Sequence, residues 1–109
     1  MADEVPDGSA VFPEIPADLG VDPLLLAVLQ AVVFLGGSDE EIVQPDAADE
    51  VLEYMASYLQ RLTGTELERV RGDISTVVAH AKRNGWPTEV HEFLSTFLAD
   101  FGVGDDETA

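Results

Sequence analysis

Between Leu24 and Leu35 only Gln30 is polar, and this twelve-residue apolar run decides how the rest of the chain must be arranged. Asp22-Pro23 ahead of it is a helix start, an aspartate N-cap followed by proline at N1, where a missing N–H costs nothing. Gly36-Gly37 behind it is expected to end the helix, because glycine takes the left-handed cap conformation without a Cβ penalty. A helix of twelve residues rises about 18 Å, well short of the ~30 Å hydrocarbon core of a bilayer. Its apolar surface therefore has to be covered by other parts of the same chain, and a helix apolar on all sides predicts a central core element.

The sequence supplies three further helices as cover. Ala48, Val51, Leu52, Met55, Tyr58, Leu59 and Leu62 follow the 3/4 spacing of a buried stripe, predicting a second helix over about Asp46 to Leu62, closed by Thr63-Gly64. Ahead of it Ser38 and Glu41 have the capping-box spacing, but Pro45 arrives too soon for a long helix, so 38–44 reads as one turn or loop. Thr65 and Glu68 form a capping box for a third helix, with Leu67, Val70, Ile74, Val77, Val78 and Ala81 on one face. Gly72 lies off that face and suggests a close helix contact. Asn84-Gly85-Trp86-Pro87 is a Schellman-type stop, with Gly85 left-handed and Trp86 folding back as its hydrophobic residue. Thr88 is the expected cap of a fourth helix, whose face is Val90, Phe93, Leu94, Phe97, Leu98 and Phe101, before Gly102 ends it.

Pro6, Pro13 and Pro16 keep residues 1–21 out of helix and strand, so they read as an extended acidic leader. Within it Val11-Phe12-Pro13-Glu14-Ile15-Pro16 alternates apolar residues with proline, which suits a strap laid across the helices; the competing reading is an exposed peptide offered to a partner. The expected fold is all-α: a compact bundle of four main helices over 22–103, the extended Pro-containing leader, and a frayed acidic tail at 104–109. Short connections favour antiparallel neighbours.

Charge is divided unevenly along this chain. Residues 1–60 hold thirteen of the 22 carboxylates and no Lys or Arg; all five basic residues, Arg61, Arg69, Arg71, Lys82 and Arg83, fall within 61–83. A net charge of −17 opposes binding to nucleic-acid phosphates or anionic lipid, both of which need a cationic face. A protein partner with a basic surface is the natural complement. In the basic window Glu66 and Glu68 precede Arg69 and Arg71 by three residues and meet part of the charge locally. Arg71 and Lys82 flank one edge of the third helix's apolar stripe. The start Met1-Ala2-Asp3-Glu4 lacks the basic and apolar regions of a secretory signal, which makes a cytoplasmic protein the expectation.

Asp46, Asp49, Glu50 and Glu53, at i, i+3, i+4 and i+7, place four carboxylates on one exposed face of the second helix, the candidate partner-binding face. The first three also complement the helix macrodipole, and a divalent cation is the weaker use of the cluster. Neither His80 nor His91 has an acid three residues before it, so the Glu-x-x-His pairs of a di-metal bundle are missing. His80 is expected on the outer polar face of the third helix. With no cysteine there is no thiolate metal site or thiol nucleophile, and no nucleophile elbow, Walker loop or dinucleotide turn occurs. No cofactor is implied. The expected function is a non-catalytic interaction module, an adaptor, inhibitor or immunity-type protein, whose acidic face meets a basic surface. The alternative is a small helical enzyme or divalent-metal-dependent protein using His91 with Glu89 or Glu92. A homodimer burying excess apolar surface of the first or fourth helix is a third arrangement.

Overall fold

Four helices form in the expected order in the computed structural model, which describes residues 7–103. They are α1 (Pro23–Gly37), α2 (Pro45–Leu59), α3 (Gly64–Arg83) and α4 (Thr88–Asp100), and a short 3-10 turn at Ala17–Leu19 precedes them. No strand occurs among the described residues. α1 pairs with α2 and α3 with α4. The tail at 104–109 and the first six residues of the leader lie outside the described residues.

The core is built where the two pairs and the leader meet. Leu25, Leu29 and Val32 of α1 join Ile74 and Val77 of α3 and Leu94 and Phe97 of α4, together with Phe12 and Val21 of the leader. α1 enters as read: the Asp22 carboxylate accepts from the Leu24 N–H at 2.9 Å, with Pro23 in the first turn. The Asp22 N–H in turn donates to the Asp73 carboxylate on α3 at 3.2 Å, tying the helix entry to its neighbour.

α1 is not, however, enclosed on all sides. Leu24 is 76% exposed and Phe34 also stands at the surface, so α1 buries one face and leaves an apolar edge open. Nor do Gly36 and Gly37 cap it. Both continue the helix, which stops at Ser38, whose N–H donates to the Phe34 carbonyl at 3.3 Å. Ser38 does not act as a helix cap either: its hydroxyl accepts from the Ala10 N–H at 2.9 Å, and residues after it make a single turn with Ile42 and Val43 N–H on the Asp39 carbonyl.

That use of Ser38 belongs to the leader, which is a docked strap. Phe12 is 3% exposed, and its ring meets Trp86 edge-on at 5.8 Å and Phe93 at 6.4 Å. Gln30, the lone polar residue of the apolar run, accepts from the Phe12 N–H at 3.1 Å and donates to the Phe12 carbonyl. Both backbone groups of a buried residue in a segment with no ladder of its own are satisfied by one side chain.

Two glycine stops follow the sequence and one does not: α2, expected to run to Leu62 and close at Thr63-Gly64, ends at Leu59, and Gly64 opens α3 instead. Gly85 has φ +67°; its N–H reaches the Lys82 carbonyl at 3.3 Å and the Trp86 N–H reaches Ala81 at 3.0 Å, the two bonds of a Schellman stop. α4 ends the same way at Gly102, with Val103 bonded to Leu98 and buried as the returning apolar residue. The starts come two residues and one residue earlier than expected: Thr63, not Thr65, is the N-cap of α3, and Pro87, not Thr88, that of α4, neither with a side-chain cap.

Gly72 marks no helix contact, because a Cβ built there meets nothing within 4 Å. Gly72→Ala should therefore stabilise the protein by about 0.5–1 kcal/mol, through helix propensity alone, read as a higher midpoint in urea denaturation. Gln30→Leu should lower that midpoint, costing about 1–3 kcal/mol by stranding the Phe12 backbone groups. Undiminished stability in this variant would show that the strap is not held by this pair.

Candidate interaction face

α2 is held against the bundle by a narrow stripe, which determines what it shows to solvent. Ala48 is buried and Leu52, Met55 and Leu59 are half-buried, a row at i, i+4, i+7 and i+11. Val51 and Tyr58, expected in that row, lie about 70–90° away from its centre at 100° per residue, and they are 43% and 61% exposed. Tyr54, between them, is 63% exposed. The spacing 51, 54, 58 thus draws an apolar and aromatic row along the open side of the helix.

Asp46, Asp49, Glu50 and Glu53 all stand exposed; Glu50 lies nearest that row, Asp46 and Glu53 follow, and Asp49 is on the far side of the helix from it. α2 begins at Gln44 without a side-chain cap, with Pro45 in the first turn and Asp46 its acidic residue. The unsatisfied N–H groups of that end favour the adjacent carboxylates, so the acidic row is compatible with the helix that carries it. At the other end the Gln60 side-chain amide donates to the Phe101 carbonyl at 2.8 Å, fixing the exit of α2 to the end of α4. The Arg61 guanidinium lies 4.9 Å from the centre of the Tyr58 ring, a cation–π contact that already shows what the ring attracts.

The remaining positive charge sits apart from this face. Arg71 and Lys82, both exposed, border a groove of about 720 Å³ between α3 and α4, on the edge of the α3 apolar stripe where the sequence placed them. Arg69 borders a smaller cavity of about 320 Å³ with Leu24, Leu62 and Glu66. His80 is not an outer-face residue. It is half-buried, its ring edge-on to Trp86 at 5.4 Å, and its carbonyl accepts from the Asn84 amide at 2.8 Å.

His91 is half-buried on α4, with its Nε2 atom buried and without a hydrogen-bond partner, while Glu89 and Glu92 stand exposed. Neither carboxylate therefore reaches that nitrogen. Among the described residues no three His, Asp or Glu side chains are grouped closely enough to hold a metal ion, the α2 carboxylates included. No helix among them is long and apolar enough to cross a membrane.

Sequence reasoning found the acidic row but not the aromatic one, because it gave Val51 and Tyr58 to the core. One signal was available: Val51 and Tyr58 lie at one margin of an apolar arc of about 120°, and a tyrosine is the residue whose hydroxyl best tolerates the wet edge. No known protein family, curated sequence or solved structure matches this chain.

A buried ring nitrogen without a partner costs stability. His91→Leu should therefore raise the thermal midpoint, by about 1 kcal/mol of stability. A fall would reveal a bond that the ring nitrogen makes in solution.

Proposed function

We propose that this protein is a non-catalytic interaction module whose α2 face meets a basic protein surface. The observation that supports it is the neighbouring placement, on the open side of α2, of Asp46, Glu50 and Glu53 with the exposed row Val51, Tyr54 and Tyr58, Asp49 extending the acidic face away from that row. The carboxylates supply long-range attraction and select the sign of the partner, while tyrosines supply rigid, amphipathic contact area of the kind that dominates interface energetics. A solvated helix face has no need of two exposed tyrosines; a binding face does. The reading is of an adaptor, inhibitor or immunity-type protein acting by occupying its partner.

A basic partner retrieved at low salt and purified should bind with an affinity that falls as salt rises. Asp49→Lys, Glu50→Lys and Glu53→Lys together should weaken binding roughly a hundredfold, since truncating desolvated charge pairs costs about 2–5 kcal/mol. Reversing Glu14, Asp18 and Glu40 instead changes net charge equally and should weaken it far less. Equal loss in both sets, or none in the first, rules out the α2 face.

A further inference from the structure

The groove between α3 and α4 stands out by its sign in a chain of −17. Among the described residues its lining holds Arg71 and Lys82 and no carboxylate, whereas the cavity beside Leu24 has Asp22 and Glu66 with its Arg69, and the one beside the strap has Glu14. The two cations mark the ends of the α3 wall, eleven residues and about 16 Å apart at 1.5 Å per residue. Between them the rims are low, with exposed Ser75 and Ala79 on α3 and exposed Ser95 and Ala99 on α4. A trough with small side chains on both rims and cations along one of them suits an extended, acidic stretch of chain.

Such a stretch follows α4 directly. Val103, 3% exposed, is itself part of the groove lining. Gly102, at φ +71°, turns the chain at the end of α4, and the Val103 N–H reaches the Leu98 carbonyl at 2.9 Å, so the chain folds back into the groove instead of running on past the helix. It enters at the Arg71 end. The Gln60 amide bonds the Phe101 carbonyl, and Gln60 lies just ahead of the start of α3 at Gly64, which brings the end of α4 beside the start of α3. The next residues are Gly104, Asp105, Asp106 and Glu107. Extended at about 3.3 Å per residue, they carry Glu107 about 13 Å from Val103, and the side chains of Glu107 and Lys82 close the remainder.

We propose that residues 104–107 lie along the α3–α4 groove, with Asp105 and Asp106 passing its Arg71 end and Glu107 paired with Lys82. Arg71 already has a partner within the chain, and the pair that decides docking is Glu107 with Lys82. The tether at Val103 holds these acids beside the groove at an effective concentration on the order of millimolar, so no separate association is needed. The groove is then taken by the chain's own acids, whatever the α2 face binds, and is closed to acidic segments of other proteins.

Backbone amide relaxation of the 109-residue protein, measured by NMR at low ionic strength, tests the contact. Order parameters of Asp105, Asp106 and Glu107 should exceed about 0.6, the bound below which a backbone is flexible, and should fall below that bound in K82E and in E107K. The double variant K82E/E107K, which restores the pair with its signs exchanged, should bring them back. R83E makes the same charge change one residue away, off the groove lining, and should leave them as in wild type. Helical circular dichroism should be unchanged throughout, since Lys82 and Arg83 are exposed. Wild-type order parameters below that bound, an equal fall in R83E and K82E, or an exchange of signs that restores nothing would overturn the proposal. So would order that rises with protein concentration, which would seat the acidic segment of a second copy in the groove.

Discussion

A single amide side chain reconciles the two halves of this molecule. α1 is apolar nearly all round, the three other helices leave part of it uncovered, and the strap that carries Phe12 into the core supplies a further wall while one edge with Leu24 and Phe34 stays open. An extended strap brings unpaired backbone groups with it, and burying them unpaired would oppose the gain from the Phe12 ring. Gln30 bonds the Phe12 N–H and carbonyl together, so the ring can stay between Trp86 and Phe93. Trp86 is itself fixed by the stop at the end of α3, and Phe93 continues through Phe97 to Phe101 along α4. The strap, the end of α3 and the face of α4 thus converge on one residue.

With α1 walled by the strap, α2 does not have to cover it broadly. A stripe of four residues suffices to seat α2, its exit is tied to the end of α4 through Gln60, and more than half of its circumference is left open. The open side carries Tyr54 and Tyr58 together with the carboxylates.

Much of the fold was legible because it is written in backbone chemistry. Asp22-Pro23, Gly85-Trp86 and Gly102-Val103 need specific dihedral angles and specific donors, and each does in three dimensions what its residue types demand. Ser38 and Thr88 failed as caps for the opposite reason. A hydroxyl has several uses of similar worth, and the Ser38 hydroxyl meets the Ala10 N–H of a segment 28 residues away, which no local pattern reveals. Gln30 was visible as an anomaly, but its partner was not. The acidic row of α2 was legible from spacing alone, whereas its aromatic companion was hidden by an arc of apolar residues wider than the contact that exists. The groove of α3 and α4 depends on how two helices pack and has no signature in either of them; Arg71 and Lys82, read only as flanking the α3 apolar stripe, border it.

The division of charge along the chain acquires its meaning from this packing. Acids on α2 and cations on α3 might have neutralised each other had those helices been paired, yet α2 packs on α1 and α3 on α4. Arg71 and Lys82 border the side of α3 that turns to α4, and the carboxylates lie on the open side of α2. Opposite charges that one fold holds on separate surfaces contribute little to its own stability, since exposed charges separated by more than a Debye length are largely screened. They retain their value for encounters between molecules, where complementary surfaces steer approach and fix register. The pairing of the helices is therefore what keeps the carboxylates of α2 apart from Arg71 and Lys82 of α3.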